Sequence, residues 1–368
     1  MQIPFHAPFL QHNSLKKELL QATEKVLDSG LYILGKEVKS FEQNYATWNN
    51  VKHCVGVGNG LDALRIALQA AGVQPNNEVI IPAHTFIATA LAVSQIGAKP
   101  VLVDIDHVTY NIDVTKIEQA ITKSTKAIIP VHLYGQPCNM DFIMQIAEKY
   151  HLQIIEDNAQ AQGATWNGQS AGSFGIANAT SFYPIKNLGA IGDAGAITTN
   201  NDKIAEFVRQ YSNYGTTERY QHDYEGINSR LDELQAAFLN VKLPYLTARN
   251  QQRQEKALFY IQSLLHVPEI ILPITQQLAT HVYHLFVIRT QKRNELQNFL
   301  AKNGIQTLIH YPVPIHLQKA YQHLGYQKGD FPVAEQVAET ALSLPLYPEL
   351  TSEQQAYIVQ KIAVFFKN

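Results

Sequence analysis

The chain has 368 residues, 46% hydrophobic and 16% charged, with 29 Lys and Arg against 31 Asp and Glu for a formal charge of −2. That length suits two domains with an ordinary core, and the composition excludes a disordered or fibrous chain. A charge this close to zero attracts no phosphate backbone, and no local basic patch compensates, so nucleic acid is excluded as a partner.

From the N-terminus, the first thirty residues contain Lys16, Lys17, Glu18, Glu24 and Lys25 in place of an apolar leader, so no secretory signal is expected. Nowhere does an apolar run approach the eighteen or so residues of a membrane span. The two cysteines, Cys54 and Cys138, are too few for a disulfide framework. These features predict a cytoplasmic protein with no membrane partner.

Between Val51 and about Ile197, short β-branched runs alternate with helical patterns. The predicted strands are Val55–Val57, Val79–Ile81, Pro100–Ile105, Ala127–Val131 and Gln153–Glu156. Apolar residues at helical spacing, Leu61, Leu64, Ile66 and Leu68, then Phe142, Ile143 and Ile146, mark crossover helices covering a mostly parallel α/β sheet. After about Leu246 the pattern changes to a smaller α+β unit. It predicts a strand at Val282–Ile288, a helix at Arg293–Asn303, a strand at Ile305–His310, and helices at Val333–Leu342 and Ser352–Phe366. Thr351 and Gln354 form a capping-box pattern ahead of the last helix. The expected division is a large domain over residues 1–245, including an N-terminal helical segment, and a small one over 246–368.

The stretch from Asn158 to Asn201 holds 44 residues, of which only Lys186 and Asp193 are charged, where about seven would match the chain average. A single Lys among Phe182, Tyr183, Pro184, Ile185 and Gly189 reads either as a site residue or as an amine reaching water along an apolar stem. A desolvated Lys can lose its proton near neutral pH and condense with a carbonyl. Pyridoxal phosphate (PLP) chemistry needs such a Lys, together with a carboxylate against the ring nitrogen. Asp157 follows the strand Gln153–Glu156, at the edge where open α/β sheets bind ligands, with Glu156 facing the other way. A helix cap is the alternative reading of Asp157. Gly58-Asn59-Gly60, between a strand and a helix, offers free backbone N–H groups to a phosphate. The dinucleotide-binding alternative fits poorly, because Gly56, Gly58 and Leu61 break the G-x-G-x-x-G spacing.

Six separated segments carry a family resemblance: Gly30–Gly35 (GLYILG), Gly58–Leu64 (GNGLDAL), Pro82–Thr89 (PAHTFIAT), Glu156–Ala161 (EDNAQA), Ser181–Gly189 (SFYPIKNLG) and Gly226–Gln235 (GINSRLDELQ). In this order, over nearly the whole chain, the sequence resembles the DegT/DnrJ group of PLP-dependent nucleotide-sugar aminotransferases. The resemblance implies the fold type I, aspartate aminotransferase-like architecture, with pyridoxal 5'-phosphate bound to Lys186 as a Schiff base. It also implies that Asp157 pairs with the ring nitrogen, Gln160 bonds the ring hydroxyl and Phe86 stacks on the ring. By the same comparison Asn59, Gly60 and Ser181 hold the phosphate, and Asn228 reaches it from the neighbouring subunit of a homodimer. Two positions depart from the family pattern, with Ile185 where many relatives have Gly and Gln162 where many have His. Both bear on substrate contacts more than on the cofactor.

Histidine is abundant, at 14 residues, yet no metal site is expected. His281 and His284, read as part of one strand, point to opposite faces. The segment around His310, Tyr311 and His316 resembles the family's approach to the sugar, which makes Tyr183, Tyr311 and His316 candidate substrate contacts. Arg219, Lys36 and Arg230 are candidates for the diphosphate, with no choice among them possible. The implied reaction is ping-pong transamination of a nucleotide-diphosphate keto sugar with L-glutamate as donor. Its phosphate motif is most like members acting at C3 of dTDP-3-keto-6-deoxyhexoses. Amination at C4 of a dTDP- or UDP-linked sugar is the alternative, and a PLP-binding regulator without turnover is the alternative of another class.

Overall fold

The computed structural model describes residues 1–367. Its centre is a seven-stranded sheet of β1 (His53–Val57), β2 (Glu78–Pro82), β3 (Lys99–Val103), β4 (Thr125–Ile128), β5 (Gln153–Asp157), β6 (Ala177–Ser181) and β7 (Gly195–Thr199), in the order β1-β7-β6-β5-β4-β2-β3. Strand β7 runs antiparallel to β1 and β6, and every other neighbouring pair is parallel.

All five predicted strands of this region form, whereas β6 and β7 are absent from the sequence reading. Their sequences, ANATS and GAITT, are buried almost throughout. They are dominated by small residues because other backbone lies close by. A Cβ on Gly195 would stand 2.5 Å from the carbonyl carbon of Asn59, so that position accepts only hydrogen. Small central strands lack the β-branched signal on which strand recognition relies.

The crossover helix Gly60–Ala70 buries Ala63, Leu64, Ile66, Ala67 and Leu68. Helix Met140–Tyr150 buries Met140, Ile143, Ile146 and Ala147 and leaves Phe142, read from the pattern as inward-facing, exposed.

In the C-terminal part, helices Arg293–Lys302, Pro332–Thr340 and Ser352–Lys367 lie close to their predicted bounds. The long helix Leu246–Leu264 has no counterpart in the sequence reading. Three readings are corrected. The strand expected from Val282 begins only at Phe286, because Tyr283 adopts φ 44° and breaks an extended run. The segment Ile305–His310 forms no continuous strand. Ile305 pairs with Ile3 and Leu308 with Ser343, so two partners divide what one ladder would need. Residues Ala341–Leu344, read partly as the end of a helix, form the strand antiparallel to Phe286–Arg289. The capping box forms as expected: Thr351 N–H donates to Gln354 Oε1 at 3.0 Å and Gln354 N–H to Thr351 Oγ1 at 3.1 Å.

Ile3 and Ala7 pack into the apolar cluster of the C-terminal residues, so the start of the chain is pinned far from its sequence neighbours. Among the described residues no helix is long and apolar enough to cross a membrane.

Glu156 faces away from the edge used by Asp157, as expected. Fully buried, it accepts N–H bonds from Gly172 (2.8 Å), Phe174 (2.6 Å) and Gly175 (3.1 Å). It also bonds His132 Nε2 at 2.8 Å. His132 Nδ1 accepts from the Cys138 N–H, which leaves the ring proton on Nε2 to be donated. Removing this carboxylate strands three donors, Gly172 N–H, Phe174 N–H and His132 Nε2, while Gly175 N–H keeps Asn178 Oδ1 at 3.0 Å, so Glu156→Ala is expected to lower unfolding free energy by roughly 3 kcal/mol. A shift of the urea midpoint at unchanged slope would register it, and an unshifted midpoint would contradict this account.

Candidate active site

Strands β1, β2, β5 and β6 end on the same side of the sheet, and the chain leaving each supplies part of one site. After β1, Gly58-Asn59-Gly60 turns into helix Gly60–Ala70, with Asn59 Oδ1 accepting from Asp62 N–H at 2.8 Å as the cap. The N–H groups of Gly60 and Leu61 have no acceptor among the described residues, as the first turn of a helix dictates. A Cβ on Gly60 would lie 2.6 Å from the Ser181 Cβ. This brings the helix start against the end of β6 and explains why only glycine fits. Asn59 can therefore serve a phosphate through its backbone, its side chain being committed to the cap. Ser229 Oγ accepts from Gly58 N–H at 3.0 Å, and its neighbour Asn228 is exposed.

At the end of β5 stands Asp157. It is buried, with Oδ2 accepting from Thr89 Oγ1 at 2.9 Å and Oδ1 from Ala159 N–H at 3.2 Å. Burial pushes its pKa above the ordinary carboxylate range, while the bonds from Thr89 and Ala159 and the charge of Lys186 pull it back. Thr89 had no separate signal in the sequence. It lies three residues beyond Phe86 in the first turn of helix Ile87–Ser94, and only the fold turns it toward Asp157.

After β6 comes the loop carrying Lys186. It closes with Ala190 N–H on Phe182 O (2.7 Å) and Lys186 N–H on Tyr183 O (2.8 Å). A Cβ on Gly189 would stand 2.4 Å from Pro184 O. Gln162, the departure from the family pattern, is fully buried and fastens both ends of this loop. Its Nε2 donates to Ser181 O at 2.8 Å and its Oε1 accepts from Leu188 N–H at 3.0 Å. Its amide is thus committed to holding the lysine loop. Burial lowers the Lys186 amine to a pKa of about 8, against the pull of Asp157. Among the described residues that amine has no hydrogen-bond or ion-pair partner.

From β2, Phe86 leads into its helix with the ring 54% exposed, which contradicts a core role. Tyr311 packs 5.5 Å from it, ring centre to ring centre. Gln160 Nε2 donates to the Tyr311 hydroxyl at 3.0 Å, and its Oε1 accepts from Tyr134 N–H at 2.8 Å, so one amide N–H stays uncommitted. Tyr183 is 51% exposed beside Lys186. Gly60 thus meets Ser181, Phe86 and Gln160 both contact Tyr311, and Tyr183 lies beside Lys186.

His316 does not join them. Its buried ring bonds Glu335 through Nε2 at 2.9 Å and packs on Phe331, so it presents no face to a substrate. His284 bonds Asn187 Oδ1 at 3.2 Å, and His281 Nδ1 accepts from Tyr283 N–H at 3.0 Å. Among the described residues no group of three or more His, Cys, Asp or Glu could hold a metal ion.

Residues 13–363 match the DegT/DnrJ/EryC1/StrS aminotransferase family. A pleiotropic regulatory protein of Geobacillus stearothermophilus is 48% identical over 100% of both chains. The dTDP-3-amino-3,6-dideoxy-alpha-D-galactopyranose transaminase of Aneurinibacillus thermoaerophilus is 49% identical, covering 96% of this chain and 98% of its own. A crystal structure of S. venezuelae DesV in complex with a ketimine intermediate matches with TM-score 0.98 and 42% identity, over 100% of this chain and 99% of that one. The chain belongs to the DegT/DnrJ/EryC1/StrS family, and it is a PLP-dependent aminotransferase.

The residues present fit that cofactor. Asp157 is a buried carboxylate with no cation in contact, which a protonated ring nitrogen would supply. Phe86 offers an open aromatic face, the helix start offers free N–H groups to a phosphate, and the Lys186 amine is desolvated and unpartnered.

With its amine near pH 8, cofactor-free protein should capture PLP faster as pH rises, about tenfold between pH 7 and pH 9, because only the free base attacks. Asp157→Asn removes the charge that raises this pKa, so its midpoint should lie lower. Borohydride-trapped adduct, measured against pH, gives both values; a midpoint that stays put or rises on substitution contradicts the assignment.

Proposed function

We propose that the chain moves the amino group of L-glutamate onto C3 of a dTDP-linked 3-keto-6-deoxyhexose, giving the 3-amino-3,6-dideoxy sugar. The carrying observation is one desolvated, unpartnered lysine amine facing a buried carboxylate. Support for the sugar comes from the transaminase relative that shares 49% of its residues with this chain.

When bound, PLP supplies an electron sink that lets the C–H bond beside the substrate nitrogen break. Lys186 would hold the cofactor and, with its amine freed by the donor, would act as the base for the donor α-carbon proton and hand it on two atoms away, across the substrate nitrogen. Asp157, kept in place by Thr89 and the Ala159 N–H, holds the ring-nitrogen proton through both half-reactions. Gly60, Ser181 and the backbone of Asn59 cradle the phosphate. Gln160 offers its free N–H to the ring hydroxyl, and Phe86 covers the ring. Tyr183 and the Tyr311 hydroxyl face the sugar. Running the same proton movements in reverse aminates the keto sugar, which makes the kinetics ping-pong.

A second copy of the chain completes the site in this reading, with Asn228 reaching the partner's phosphate. Leu20, Leu27, Leu31, Tyr32, Ile33 and Leu34 are all more than 40% exposed. An apolar surface of that kind favours a protein partner. We assign residues 1–245 to the cofactor-binding part and 246–368 to the smaller part, in a cytoplasmic protein whose Cys54 and Cys138 stay reduced.

A second reading, a cofactor-binding regulator without turnover, is favoured by the regulatory name of the Geobacillus relative. Incubating the protein with glutamate and a panel of thymidine and uridine diphosphate keto sugars separates the two. The expected product carries its amine at C3 by NMR, and Lys186→Ala should slow turnover by at least about 10²-fold. An amine at C4 replaces the C3 reading, and cofactor that stays unconverted by glutamate favours the regulator.

A further inference from the structure

Lys186 lines a second space besides the one bordered by Asp157 and Phe86. A small cavity of about 30 Å³, open to solvent, has His6, Gln11, Lys186, Arg249, Arg253 and Glu349 in its wall and none of the cofactor-facing residues except the lysine. Its charges are unequal, three cations against the single carboxylate of Glu349. That carboxylate is already paired with Arg249 at 2.8 Å.

Arg253 is the unusual member. It is 94% buried, from an exposure of 6%, yet no carboxylate touches it among the described residues. Its Nη1 donates to the carbonyls of Leu346 (2.9 Å), Tyr283 (3.3 Å) and His284 (3.5 Å), while Nε and Nη2 have no acceptor among the described residues. Burying a guanidinium without an anion is costly, and burial draws its pKa down to about 9. Beside it, His6 Nε2 is buried and unpartnered as well. Burial first, and then the charges of Arg253 and Lys186, lower this imidazole to about 3, so it stays neutral and can present an N–H without adding charge.

Two unpartnered donors, one a planar fork, match the two oxygens of a carboxylate. We propose that this cavity docks the side-chain carboxylate of a dicarboxylic amino donor, with Arg253 and His6 as its hydrogen-bond donors. The inference rests on Lys186 being the reacting lysine: a donor whose α-carbon lies beside that amine extends its side chain into the space the lysine shares with Arg253. Preference for a dicarboxylic donor over alanine then follows from supplying a buried guanidinium with its missing anion.

The test uses the holoenzyme and glutarate, a dicarboxylate with no amino group, as the calorimetric probe. Wild type is expected to bind glutarate, and Lys186→Ala to bind it still. Arg253→Met and His6→Phe are each expected to weaken it at least tenfold and to reduce the KM preference for glutamate over alanine. Arg253 also holds three backbone carbonyls, so circular dichroism must confirm that variant's fold. His6→Phe breaks no existing Nε2 bond and carries the test alone if the other fails to fold. Unchanged glutarate affinity and donor preference in His6→Phe, or no glutarate binding by wild type that turns over glutamate, overturns the inference and leaves the aminotransferase reading intact. Failure to trap cofactor on Lys186 removes that reading and the donor role with it, even if glutarate binds.

Discussion

The site depends on one electrostatic constraint: an amine and a carboxylate taken out of water within reach of each other but not in contact. Desolvation drives Lys186 down toward neutrality and Asp157 up toward it, and their mutual attraction opposes both shifts. A tight ion pair would lock both charges and leave the lysine unreactive. Isolation would leave each group neutral and the aspartate useless for holding a proton on a ring nitrogen. The intermediate state needs few charges close to the pair, and the run from Asn158 to Asn201 carries none besides Lys186 and Asp193.

A loop without charges has to be held by neutral groups, and amide side chains hold this one. Gln162 fastens its two ends. Asn187 donates to Asn250 Oδ1 at 2.8 Å and to Val282 O at 3.1 Å, tying the residue after the lysine to two distant segments. The exception is Lys242, whose buried ammonium donates to Gly189 O at 2.6 Å and whose pKa burial lowers to about 8. Close approach fixes the other positions. Gly60 and Ser181 meet where a methyl group would collide, so the start of a helix with open N–H groups and the end of β6 are set against each other by backbone geometry.

Sequence patterns revealed what local chemistry determines. The parallel strands announced themselves through β-branched runs, the last helix through its capping box, and Lys186 through the charges missing around it. Asp157 was legible from its place at the ligand-binding end of a strand together with the carboxylate that Lys186 chemistry needs, with Glu156 facing the opposite way. What stayed hidden depends on tertiary partners. Strands β6 and β7 are built of small residues because of the backbone beside them, and the segment after Ile305 divides its pairing between Ile3 and Ser343. Thr89 and Gln162 matter through side chains that distant loops bring to them. His316 misled because the nearby Tyr311 contacts Phe86 and Gln160, whereas Glu335 draws the His316 ring away.

The first residues of the chain pack close to the site, although no motif marks them. Ile3 pairs with Ile305, Phe5 N–H donates to Gln306 Oε1 at 3.2 Å, and the Phe5 ring stacks on His310 at 5.7 Å. His310 precedes Tyr311, and its pKa is lowered first by burial and then by the charge of Lys186. The N-terminal segment thus packs beside the surroundings of a reactive lysine about 180 residues later in the chain. It can do so only because the C-terminal segment it pairs with is held there by Leu308 and Ser343. Reactivity at one amine is therefore set by the whole assembled fold: the loop that carries it supplies its position, and residues from both ends of the chain supply the water-poor surroundings that bring its pKa toward neutrality.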